Sequence, residues 1–204
     1  MKLRVLMGVV AVMAMAGAAS ANLLTDPGFN SPAVAGNTPT DWTGSGNQGV
    51  QPWASHDGDG WLQSFPGFNG VTPGSLYQDV AGSADTTYTL DFWQAGDPGW
   101  HGSAFTVALI WLDSGLNPVG TAATMDLQPW AFVDVGWTNH VLSAVSPVDT
   151  ATVRVQFDAA SLGDGGAGKV DDLNLTAAVP EPATAGLVGV SLLAIMAMRR
   201  RIRA

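Results

Sequence analysis

Thr152-Val153-Arg154-Val155-Gln156-Phe157 alternates polar and apolar side chains, so Val153, Val155 and Phe157 share one face while Thr152, Arg154 and Gln156 share the other. A strand with one buried and one wet face satisfies that period; a helix does not. The same alternation runs through Thr87-Tyr88-Thr89-Leu90-Asp91-Phe92-Trp93 and Phe105-Thr106-Val107-Ala108-Leu109-Ile110-Trp111. It places Trp93 and Trp111 in the expected core. Shorter strands are expected at 62–65, 76–80, 119–124, 136–142 and 170–176, separated by clusters of Gly, Pro, Asp and Asn. Between 22 and 178 no ten-residue stretch carries helical periodicity. The expected fold is all-β, a single β-sandwich built from eight or so short strands.

Both ends of the chain read differently. Residues 1–21 have the plan of a secretory signal peptide: Lys2 and Arg4 supply charge, Leu6 to Ala16 an apolar segment, and Ala19-Ser20-Ala21 a small-residue site for signal peptidase. Residues 179–204 carry Pro180-Glu181-Pro182, an apolar run over 183–198, and the basic cluster 199–203, in which Arg199, Arg200, Arg201 and Arg203 are the charges. As a helix that run rises about 24 Å, short of a bilayer core of about 30 Å, and snorkelling arginines make up the difference. Positive charge at one end only orients it with the arginines inside. This order at a chain end resembles the PEP-CTERM tails of Gram-negative bacteria. The resemblance implies recognition by an exosortase, an inner-membrane intermediate, cleavage near Pro180-Glu181-Pro182, and delivery to the cell surface or a biofilm matrix beside exopolysaccharide. Two prolines keep the segment extended and open to a protease.

The domain between, 22–178, retains two of the chain's eight basic residues, Arg154 and Lys169, against sixteen aspartates. So acidic a surface repels phosphate backbones, and no nucleic acid is expected as a partner. There is no cysteine, so stability must come from the core or a metal. Gly163-Asp164-Gly165-Gly166-Ala167-Gly168-Lys169-Val170 comes within one residue of a phosphate-binding loop. Val170 stands where a hydroxyl must hold Mg²⁺, and a strand follows instead of a helix, so no nucleotide is expected.

The opening Asn22-Leu23-Leu24-Thr25-Asp26-Pro27-Gly28-Phe29-Asn30, then Trp42, then Leu76-Tyr77-Gln78-Asp79-Val80, resembles galactose-binding-like jelly rolls, the fold of many carbohydrate-binding modules. The closing Val170-Asp171-Asp172-Leu173-Asn174-Leu175 is similar to that family's last strand. The resemblance implies a structural Ca²⁺ between the first and last strands, held here by Asn30 and Asp172 with Asp171 beside them. Asn30 replaces the family's usual Glu and removes one formal charge from the set. In His56-Asp57-Gly58-Asp59-Gly60, Asp57 and Asp59 can supply further oxygens, or the run is only an Asx-rich turn.

Eight tryptophans are many for an exported domain. Trp53, Trp100, Trp130 and Trp137 lie beside Gly or Pro in expected loops, where an exposed indole can stack on a sugar ring; packing as loop anchors is the alternative. For catalysis the inventory is thin. The domain lacks Cys and Glu, scatters His56, His101 and His140, and contains neither a Gly-x-Ser-x-Gly elbow nor a His-Glu-x-x-His motif. The expectation is a non-catalytic surface or matrix protein that binds polysaccharide. A structural coat component without ligand is the second reading, and a glycan hydrolase using an aspartate pair the third.

Overall fold

The computed structural model describes residues 21–31, 34–66, 73–97, 100, 102–128, 136–161 and 166–178. The signal segment as far as residue 20, the tail from 179 onward, Trp130 and His101 lie outside them. Ten strands form: β1 (Thr43–Gly46), β2 (Gly49–Gln51), β3 (Leu62–Pro66), β4 (Gly74–Ala81), β5 (Thr87–Gly96), β6 (Gly102–Leu112), β7 (Ala123–Asp126), β8 (Thr138–Val145), β9 (Thr152–Ser161) and β10 (Ala167–Ala178). They make two antiparallel five-stranded sheets, ordered β1-β4-β9-β6-β7 and β2-β3-β10-β5-β8. The result is a jelly-roll sandwich.

Alternation decides which side chains meet. From the first sheet Leu76, Val107, Leu109, Trp111, Val153, Val155 and Phe157 point inward, and from the second Phe65, Leu90, Phe92, Val170 and Leu175 meet them. Non-polar area leaving water at these positions stabilises the fold by about 25 cal/mol per Å². No disulfide contributes, since the chain lacks cysteine. The same alternation sends Tyr77, Arg154 and Gln156 to the outer face of the first sheet.

The N-terminal segment closes onto both sheets. Leu23 N–H donates to Leu175 O at 2.8 Å, while the Asn22 side chain donates to Leu173 O at 2.7 Å and accepts from Leu175 N–H at 2.9 Å. Gln78, almost fully buried in β4, accepts from Thr25 N–H and donates to the carbonyls of Thr25 and Asp41. The pairing of all ten strands is therefore internal to 22–178.

Some expected elements moved. The strand placed at 119–124 forms at Ala123–Asp126, because Pro118 and Gly120, at φ +65°, interrupt the return from β6. The strand placed at 136–142 starts two residues later and runs to Val145. Neither β1 nor β2 was expected: Thr43-Gly44-Ser45-Gly46, with two glycines, has weak β propensity and extends where β4 pairs with it. At its end Gly46 has φ +70°, and a Cβ there would sit 1.8 Å from Pro73 O. Trp93 is a second correction. Its neighbours Phe92 and Gln94 point inward, so it lies half-buried on the outer face.

Replacing Gln78 by Leu keeps the volume but leaves one donor and two acceptors in the N-terminal segment without partners. The expected loss of stability is about 1–3 kcal/mol, measured as a lower urea midpoint at unchanged slope.

Candidate functional site

Two outer surfaces carry polar and aromatic groups. On the second sheet the organising feature is an extra residue in β10: Asp171 pairs with Trp93, yet the next register pair is Asn174 with Asp91. Three residues of β10 thus oppose two of β5, and Asp172 takes φ +49° within the bulge. The chain over 52–61 meets this face at His56. His56 pins it there. Its N–H donates to Asp171 Oδ2 at 2.8 Å, its Nδ1 meets Asp172 Oδ2 at 2.6 Å, and its ring stacks on Trp93 at 3.8 Å. Trp137 closes edge-on to the same imidazole at 5.9 Å.

This arrangement draws together the carboxylates of Asp57, Asp171 and Asp172, with ligand atoms all within 4.8 Å of one another. Asn30 and Asp59 form a pair alongside, the Asn30 amide donating to Asp59 Oδ2. The Asx turns are present too: Asp57 Oδ1 accepts from Asp59 N–H, and Asp59 Oδ1 from Trp61 N–H. Asp171 is fully buried, and its carboxyl is pushed up to about 7. Burial is the main cause, the charges of Asp172 and Asp57 add to it, and hydrogen bonds from the His56 and Asp172 N–H groups oppose it. Carboxylate oxygens are the ligand type that hard cations take.

The outer face of the first sheet is a different surface. Tyr77 pairs across β9 with Gln156, and Asp79 with Arg154. Arg154 holds Asp79 with both forks, Nε to Oδ1 at 2.7 Å and Nη2 to Oδ2 at 2.8 Å, and its guanidinium carbon lies 3.8 Å from the Tyr77 ring centroid. The Asp79 hydrogen bonds raise the Arg154 pKa further. Gln156 in turn donates to Asp158 Oδ2 at 2.7 Å. A guanidinium stacked over an aromatic ring, an amide and carboxylates thus share one face of rigid strands.

The four loop tryptophans separate. Trp53 and Trp137 are half-buried with part of each indole facing water. Trp53 sits 5.2 Å from the Lys169 ammonium, which is ion-paired to Asp97. Trp100 is corrected: it is 1% exposed, packed edge-on against Phe105, and has no face for a sugar. It enters the core because Gly166, just before β10, and Gly168 within it leave a slot: a Cβ on Gly166 would sit 3.2 Å from Trp100 Cβ, and one on Gly168 3.2 Å from the indole. Missed at the sequence level were Tyr77, Asp79, Asp158 and Trp93. The readable signal was that Arg154 and Gln156 occupy the wet face of an alternating strand, but the residues paired across from them needed the register. His140 is buried against Gln94, and burial lowers its pKa. It is a neutral packing residue.

Residues 178–201 match the profile described as the PEP-CTERM protein-sorting motif. The chain carries a PEP-CTERM tail. That tail marks a protein exported and processed at the membrane. No curated protein sequence matches the chain. Among solved structures, it is similar to TmCBM61 in complex with β-1,4-galactotriose, at 22% identity and TM-score 0.56 over 76% of this chain and 98% of that one. It is also similar to the CBM22-1 xylan-binding domain of Paenibacillus barcinonensis Xyn10C, at 13% identity and TM-score 0.51 over 80% and 99%. A cyclase from Fischerella sp. TAU matches at 14% identity and TM-score 0.58 over 78% and 97%. These likenesses establish the jelly-roll fold; a fold that serves binding modules and a cyclase alike does not by itself name an activity.

The buried Asp171 makes metal-free stability depend on pH. With the folded pKa raised to about 7, the stabilising contribution is complete below the unfolded value near 3.8 and is lost as pH rises through 7. In EGTA the melting temperature should fall between pH 5 and pH 8. Asp171→Asn should flatten that fall.

Proposed function

We propose that this chain is an exported, exosortase-processed surface or matrix protein whose sandwich binds polysaccharide without catalysing its breakdown. Residues 1–21 act as signal peptide, 22–178 as the binding domain and 179–204 as the sorting and anchoring segment. The observation carrying the binding assignment is the outer face of the first sheet, where the Arg154 guanidinium lies over one face of the Tyr77 ring with Asp79 and Gln156 within reach. Aromatic faces take the C–H side of a sugar ring, and planar polar groups take its hydroxyls. With two bases against sixteen aspartates in 22–178, an acidic glycan is repelled, so the class favoured is neutral polysaccharide. The PEP-CTERM tail supports delivery to where such polymers accumulate.

Ca²⁺ fits the second sheet as a structural ion, held by Asp57, Asp171 and Asp172 with Asn30 and Asp59 beside them. Bound there, it would offset the like charges around Asp171 and tie the 52–61 segment to β10. A melt in Ca²⁺ against EGTA tests this: the expected result is a higher midpoint in Ca²⁺, abolished by Asp172→Ala, and an unchanged midpoint would remove the ion from the account.

Binding is tested by affinity electrophoresis of residues 22–178 in gels containing galactan, xylan or mixed-linkage glucan. Wild type should be retarded by at least one polymer, and Tyr77→Ala should weaken retardation about two- to tenfold at unchanged melting temperature. A folded wild-type domain that none of them retards would favour a coat role without ligand. Release of reducing ends, lost on an aspartate substitution, would favour the hydrolase.

A further inference from the structure

The two basic residues of 22–178 are not scattered. Arg154 points from the outer face of the first sheet and Lys169 from the outer face of the second. Each is ion-paired to one aspartate, Arg154 to Asp79 and Lys169 to Asp97. Each also stands against a half-buried aromatic ring, Tyr77 at 3.8 Å and Trp53 at 5.2 Å. Thus a base, its aspartate and an adjoining aromatic plate occur once on each side of the sandwich, with no residue in common. Because the sheets pack back to back about 10 Å apart, the two surfaces face in opposite directions, and one straight glycan segment cannot lie on both.

We propose that the domain is bivalent, holding one neutral polysaccharide chain at Tyr77/Arg154 and a second at Trp53/Lys169, and so cross-links polymer. The inference rests on the polysaccharide reading above but adds what a single groove would not give: two independent contacts whose joint effect is a network. In a strongly acidic domain, each pairing of the base with Asp79 or Asp97 cancels charge locally. It leaves a neutral polar patch beside a ring, the environment a neutral sugar needs on either side. Linking two weak sites also raises apparent affinity for a polymer well beyond either alone.

The test pairs retention with cross-linking for residues 22–178 on galactan, xylan and mixed-linkage glucan. Affinity electrophoresis reports binding. Turbidity and sedimentation of the polymer report cross-linking. Wild type should be retained by at least one polymer and should cloud it, with a maximum at intermediate protein and clearing in excess. Tyr77→Ala and Trp53→Ala should each remain retained, weakened about two- to tenfold, yet fail to cloud; the double variant should do neither. If either ring substitution lowers the melting temperature, Arg154→Gln and Lys169→Gln serve in its place. Retention without clouding, clouding that survives a single-face variant, or complete loss of retention from one face alone overturns bivalency while leaving the polysaccharide reading intact. Absence of wild-type retention on all three polymers overturns both.

Discussion

One extra residue in β10 sets the geometry of the second sheet's outer face. Without the bulge between Asp171 and Asn174, adjacent Asp171 and Asp172 would point to opposite faces, one of them into the apolar core. The left-handed conformation at Asp172 turns both carboxylates toward the 52–61 segment, where His56 takes one with its backbone and the other with its ring. The following residue, Leu173, then returns to the core and receives the N-terminal segment through Pro27 O. Closure of the first strand region and burial of an acidic centre are therefore consequences of a single backbone irregularity. Three like charges so close are unfavourable unless protonated, as the raised Asp171 pKa indicates, or unless a cation intervenes.

The core is indifferent to what happens outside it. Val153, Val155 and Phe157 fix β9 through apolar contacts, which frees Arg154 and Gln156 to be chosen for surface chemistry. This independence is what alternation provides in an antiparallel sandwich, and it lets a chain without disulfides expose polar plates on both sheets while remaining closed. Trp100 and Trp93 show the division from both sides. Trp100 lies in a loop but is drawn inward by two glycines, whereas Trp93 belongs to a strand yet faces out, because its parity along β5 demands it.

The long strands were legible because their period is strong and local: 87–93, 105–111 and 152–157 all lie within observed strands. So was the sorting tail, carried by a short contiguous run. What escaped depends on pairing between distant segments. Thr43-Gly44-Ser45-Gly46 is a strand only because β4 lies beside it, and Tyr77 gains its importance from Arg154, far along the chain. Loop position was a poor guide to exposure, since glycines elsewhere decide whether an indole finds a slot. Register and packing partners are not written locally.

The scarcity of positive charge gives the remaining bases unusual weight. In a surface of mixed charge an Arg–Asp pair is ordinary and contributes little to stability. Here sixteen aspartates share two bases, so each pair is a local interruption of an otherwise repulsive field. Both interruptions coincide with half-buried aromatic rings, on faces that look away from each other. At both places a base paired to an aspartate lies over an aromatic ring, so the local charge is balanced. On the binding reading proposed above, Arg154 and Lys169 mark the two places where a neutral polymer would meet the sandwich.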